Sequence, residues 1–217
     1  MLRIAVAQFN ATVGDLTGNV ERIIACAAEA KARGAQVLLT PELALCGYPP
    51  EDLLLRPDFY RACSRALDDL AGRVEGIASG LAIVVGHPEE HAGRRYNAAT
   101  VIENGHKKAV YRKIRLPNYE VFDEMRYFDA GSEACVVTLG GVRCGINICA
   151  DIWEAGAAEL AHGAGAELLL VLNASPCHLE KHQQRAQVLG ERIAATGIPA
   201  IYANLVGGQD ELVFDGA

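Results

Sequence analysis

Apolar positions fall into short runs that alternate with longer amphipathic stretches, and this alternation lays out the elements in order. Residues 3–9 are apolar and β-leaning. Residues 19–34 then place Val20, Ile23, Ile24, Ala27 and Ala28 on one helical face, with Thr17 or Asn19 as the cap and Gly34 as the stop. The run 37–40 reads as a buried strand ended by Pro41 and Glu42. Pro57 suits the first turn of a helix that continues through Leu67 and Leu70, and residues 81–86 form the next strand.

Two strand-like runs, 97–103 and 108–111, flank Asn104-Gly105, a pair that predicts an antiparallel hairpin. The runs 135–139 and 142–148 repeat the pattern around Gly140-Gly141. Trp153 is read as opening a short helix that reaches Gly163 or Gly165. A strand over 168–173, a long helix over 178–196, a strand over 200–205 and the start of another over 211–214 complete the order. Strands alternating with helices, with hairpins between them, predict an α/β fold with a mixed sheet covered by helices on at least one face. No linker or low-complexity tract divides the chain, so one domain over 1–217 is expected. Segments 34–42 and 165–175 are loosely alike: each reads Gly-Ala, a strand, then a polar end.

Composition narrows the function classes. The net charge of −7 argues against nucleic acid or an anionic membrane as partner, because both reward clustered Lys and Arg. No apolar run approaches the roughly 20 residues of a membrane span, and the opening lacks a signal-peptide pattern. The seven cysteines are scattered, odd in number and without a CxxC pair, which reads as reduced thiols in a soluble, cytoplasmic protein.

Three places draw chemical interest. Gly145-Ile146-Asn147-Ile148-Cys149-Ala150-Asp151 ends a strand on a cysteine at a strand-to-helix turn. A nucleophile there projects from a sheet edge, and following backbone N–H groups can stabilise an oxyanion. A free thiol is only slightly ionised near neutrality and needs a base or a cation beside it. Glu42 stands just past a buried strand, before the stiff loop Leu45-Cys46-Gly47-Tyr48-Pro49-Pro50, and Lys113 ends the second hairpin strand in Tyr111-Arg112-Lys113. Taken singly, each has a plainer reading: a buried structural thiol, a solvated loop carboxylate and a basic edge.

In their order, these three residues resemble the Glu–Lys–Cys triad of the nitrilase superfamily. The stretch Leu116-Pro117-Asn118-Tyr119-Glu120-Val121-Phe122-Asp123-Glu124 is similar to the glutaminase domain of glutamine-dependent NAD synthetases. So are Asn173-Ala174-Ser175-Pro176 with Lys181 and Arg185, and the run from Asn204-Leu205-Val206-Gly207-Gly208-Gln209-Asp210 through Glu211-Leu212-Val213-Phe214-Asp215-Gly216. The resemblance covers essentially the whole chain. It implies a nitrilase-like αββα sandwich in which Cys149 is the nucleophile, Glu42 the general base and Lys113 an oxyanion stabiliser. Tyr119, Ser175 and Lys181 match the glutamine-binding positions, and the resemblance also implies a homo-oligomer. Ser175 is further read as a cap of the helix that follows it.

Two departures stand out: Ala150 where the family commonly has Glu, and Cys177 where an aromatic is usual, which leaves the pocket wall looser. The chain lacks a Ser-Gly-Gly-x-Asp-Ser phosphate loop, so it is read as a glutaminase domain truncated at its C-terminus. It is expected to need no cofactor of its own. ATP and magnesium belong to the absent synthetase domain, which would take the ammonia in cis and amidate deamido-NAD. His178 and His182 stand four apart but lack the HExxH arrangement and a third ligand, so no metal site is expected. Two other readings remain open: a stand-alone amidase or carbamoylase of the same superfamily, and a catalytically silent assembly domain.

Overall fold

The computed structural model describes residues 1–119 and 121–216; Glu120 of the motif above and Ala217 lie outside the described residues. The chain forms two sheets, as the resemblance to an αββα sandwich implied, rather than the single mixed sheet that the strand pattern alone predicts. The first has five strands in sequence order: β1 Ile4–Val6, β2 Val37–Leu39, β3 Ala82–His91, β4 Arg94–Glu103 and β5 His106–Arg112. Strands β1 to β3 are parallel, and β3–β4 and β4–β5 are antiparallel hairpins. The second sheet runs β6 Val136–Leu139, β7 Val142–Ile148, β8 Leu168–Asn173 and β9 Ala200–Asn204, with β7 to β9 parallel. A separate hairpin, β10 Val206–Gln209 with β11 Leu212–Asp215, follows.

The period of two within each strand explains the layering. Val37 and Leu39, Ala82 and Val84, and Ala99 and Val101 point from the first sheet toward Ile146, Ile148, Leu168, Leu170 and Leu172 of the second. Leu38, Ile83 and Val85 point the other way, onto α1 Leu16–Ala32 and α2 Pro57–Ala78. In the second sheet Leu169 and Val171 face α4 Ala157–Gly163 and α5 Lys181–Thr196, and Ile152 of the short α3 Ala150–Trp153 joins them. Helix, sheet, sheet, helix is the resulting order. Strands buried on both faces read as unbroken apolar runs, as 168–172 does. Truncating one such leucine to Ala would cost about 2–5 kcal/mol.

Several local readings shift. Asp15, not Thr17 or Asn19, caps α1, its Oδ1 accepting from Gly18 N at 2.9 Å. Asn19 is instead buried and joins two loops by accepting from Thr12 N and donating to Thr12 O and Leu45 O. Trp153 closes α3 rather than opening a helix. Helix α5 starts at Lys181, so His178 and His182 do not share it, and Ser175 does not cap it. The β3–β4 hairpin turns at Ala92-Gly93, which the apolar pattern passed over because its strand ends are polar.

Candidate active site

Strand ends from both sheets deliver the three residues of the motif to one buried centre. Glu42 follows β2, Lys113 follows β5 and Cys149 follows β7. Glu42 and Lys113 are wholly buried and Cys149 is 5% exposed. The backbone makes room for them. A Cβ on Gly86 of β3 would lie 2.5 Å from Leu43 N and 2.6 Å from Pro41 O, so only glycine lets the Glu42 segment lie so close to the strand. Leu43 sits at φ +48, and Cys149 at φ +42, ψ −99. Such backbone strain costs about 1–3 kcal/mol and persists only where surroundings hold it.

Lys113 Nζ donates to Glu42 Oε1 at 2.7 Å and to Glu124 Oε1 and Oε2 at 2.7 and 2.9 Å. Asn97 Nδ2 also donates to Glu42 Oε1, at 2.7 Å, and the Ala174 N–H donates to Glu42 Oε2 at 3.0 Å. Two carboxylates therefore share one ammonium. Burial alone would lower the Lys113 pKa, but Glu124 and Glu42 overcome it and hold the cation charged. The Glu124 carboxyl is pushed up to about 7, first by burial and further by Glu42, with Lys113 opposing. Burial pushes the Cys149 thiol well above its ordinary range, Glu42 adds to this, and Lys113 and the Ala174 N–H oppose. The surroundings thus favour the thiol form of the resting cysteine.

Ser175 is buried one residue past Ala174, its N–H donating to Asn204 Oδ1 at 2.9 Å and its Oγ accepting from Arg185 Nε at 3.3 Å. Lys181 Nζ lies 4.0 Å from the centroid of the Trp153 ring, four residues past the cysteine. Tyr119 is 51% exposed, its ring edge-on to Phe122 at 5.8 Å, on the loop that leads into Glu124. The structure therefore joins Glu42 and Lys113 directly, sets Cys149 within their field, reaches Ser175 through Ala174, and leaves Tyr119 on the rim. Ala150 is buried at the start of α3, and Cys177 is exposed.

Sequence reasoning missed Glu124, Asn97 and Asp151. Glu124 lay within a quoted motif, yet a carboxylate in a polar loop looks solvated until the fold turns it inward. Asn97 left a fainter signal, as a lone amide beside the apolar run 98–102. Tyr48 is buried beside the centre: burial first, then the carboxylates of Glu124 and Glu42, raise its hydroxyl pKa. Among the described residues no group of three or more His, Cys, Asp or Glu could hold a metal ion, and no helix is long and apolar enough to cross a membrane.

Comparison with known proteins identifies the family and the fold. The carbon-nitrogen hydrolase family matches residues 3–216. A glutamine-dependent NAD(+) synthetase of Xanthomonas campestris pv. campestris is 50% identical over 219 residues, covering 100% of this chain and 39% of that protein. The chain thus spans less than half the length of such relatives. A glutamine-dependent NAD+ synthetase from Acinetobacter baumannii, solved with ADP, superposes with a TM-score of 0.92 at 36% identity, over 99% of this chain and 40% of that one. A variant of the amidase from Nesterenkonia sp. AN1, in which acrylamide has added to the active-site cysteine, superposes with a TM-score of 0.86 at 30% identity, over 100% and 83%.

Proposed function

The chain belongs to the carbon-nitrogen hydrolase family, and from that premise we propose that it hydrolyses the side-chain amide of glutamine through a thioester on Cys149. The observation that supports this most is the wholly buried Glu42–Lys113 pair, 2.7 Å apart, in whose field the strained Cys149 elbow sits. Glu42 takes the thiol proton as the sulfur attacks the amide carbon, since a thiol held this far from ionisation cannot act unaided. The Cys149 N–H is already given to Leu172 O at 2.8 Å. Oxyanion stabilisation therefore falls to Lys113 and to the N–H that follows, on Ala150. Glu42 returns the proton to the departing ammonia, then activates the water that releases glutamate.

In this reading Tyr119, Ser175 and Lys181 hold the amino-acid end of glutamine. The ammonia would serve a synthetase domain in cis, as the names and lengths of the relatives suggest, and ATP and magnesium would belong to that domain. The Nesterenkonia amidase, matched over 83% of its own chain, favours a second reading: hydrolysis of another small amide. One experiment addresses both. The chain is treated with a diazoketone analogue of glutamine and read by intact mass, with Cys149→Ala as control. A single adduct, lost in the variant and slowed by excess glutamine but not by acetamide, is expected. Labelling that survives in Cys149→Ala, or that acetamide blocks better than glutamine, would overturn the proposal.

A further inference from the structure

Asp151 is wholly buried in the first turn of α3, two residues past Cys149. Its carboxylate accepts four hydrogen bonds. Oδ1 takes the N–H groups of Ile114 and Arg115 at 3.1 and 2.8 Å, and Oδ2 takes the Ile148 N–H at 2.9 Å and the Tyr111 hydroxyl at 2.8 Å. The positions of these donors matter more than their number. Ile114 directly follows Lys113, Tyr111 precedes it by two, and Ile148 directly precedes Cys149. One carboxylate thus ties the end of β5 in the first sheet to the end of β7 in the second, at the two residues that deliver the ammonium and the sulfur.

We propose that Asp151 is a positioning residue that fixes the placement of Lys113 relative to Cys149 and holds the strained elbow in shape. The inference rests on the roles given to those two residues above. An ionised carboxylate has about four lone-pair sites, so four donors leave Asp151 nothing to offer substrate or thiol. Its action is through its neighbours. Burial raises its pKa to about 6, with the Arg115 and Ile148 N–H groups, Lys113 and Tyr111 opposing, which shows how much the ionised form depends on these donors.

The substitution Asp151→Asn separates this from general packing. An amide of the same shape must turn its NH2 toward one pair of donors, so it meets a backbone N–H head-on whichever way it is placed. One of the two chain segments is then unfastened. Steady-state glutamine hydrolysis is to be measured beside the rate at which iodoacetamide alkylates Cys149, followed by intact mass. Misplacement by an ångström lowers rates on the order of 10²-fold. Asp151→Asn should lose kcat on that scale and alkylation in parallel, while KM stays within about twofold because Ser175 is anchored elsewhere, by Asn204 and Arg185. A folded variant with unchanged kcat and alkylation, or a loss confined to KM, would overturn the proposal. Should Asp151→Asn fail to fold, Tyr111→Phe decides. It removes one bond of the four, and a loss of about two- to tenfold in kcat supports the inference whereas an unchanged kcat overturns it. A parent chain that alkylates at Cys149 yet releases no ammonia from glutamine would strike the substrate reading alone. Alkylation rates would then decide the role of Asp151.

Discussion

Glu42 and Lys113 are wholly buried and joined at 2.7 Å, whereas Tyr119 is 51% exposed and Lys181 rests on a ring face 4.0 Å away. The proposed reacting centre is assembled from strand ends and closed by charge-assisted hydrogen bonds. The rim that would meet the polar end of glutamine is assembled from loops and the first residue of a helix. Such a division suits a reaction whose charge changes occur at one carbon while the rest of the substrate needs only holding. Preorganised donors act most strongly where water is excluded. It also means that substitutions in the two regions should fail differently, in kcat at the centre and in KM at the rim.

The sharpest test of that division is Glu42→Gln, which keeps size and removes the proposed base. General-base loss should lower kcat by roughly 10²–10⁴-fold, with KM little changed. Lys113→Ala is a poorer choice, because it strands Glu42 and Glu124 in the interior. Breaking a buried pair in this way destabilises by about 3–5 kcal/mol, so lost activity would be mixed with lost fold. If Glu42→Gln instead raised KM and spared kcat, the distinction between centre and rim would collapse.

Glu124→Gln comes next, and its signature is pH. The folded pKa of Glu124 lies near 7, above its ordinary 4.5, so the folded state favours the protonated form. The stability this confers is complete below about 4.5 and is lost as pH rises through about 7. Glutamine at this position cannot ionise and escapes the loss. The melting temperature of Glu124→Gln should therefore improve relative to the parent as pH moves from 5 to 8. Thermal melts at several pH values check it, and a parallel pair of curves would show that Glu124 does not titrate in that window.

How much of this was legible beforehand follows the same division. The strand runs at 37–39 and 168–172 announced themselves because strands buried on both faces are continuously apolar. Their polar ends, Glu42 and Ser175, could be placed at sheet edges. The hairpin at Asn104-Gly105 was legible from turn chemistry. The layering into two sheets was legible only through the family resemblance, because periodicity shows that a strand has two faces but not what lies against each. Glu124 and Asp151 were invisible for a related reason. A carboxylate in sequence looks solvated, and only the fold brings Lys113 to one and four donors to the other.

The smallest expected effects lie on the rim, and their ranking refines the comparison within it. Lys181 combines a cation with a position against Trp153, close behind the cysteine, so it is suited to a substrate carboxylate. Tyr119 offers a neutral hydroxyl from an exposed ring that Phe122 supports at its edge. Hydrogen bonds to charged groups are worth about 1.5–3 kcal/mol and neutral ones about 0.5–1.5, so Lys181→Ala should raise KM by roughly 10- to 100-fold and Tyr119→Phe by about two- to tenfold. In neither should kcat fall by more than a few-fold. Initial rates across a range of glutamine concentrations check both. A Tyr119→Phe variant that lost kcat as severely as Glu42→Gln would mean that the loop into Glu124 closes over the reaction and belongs to the centre.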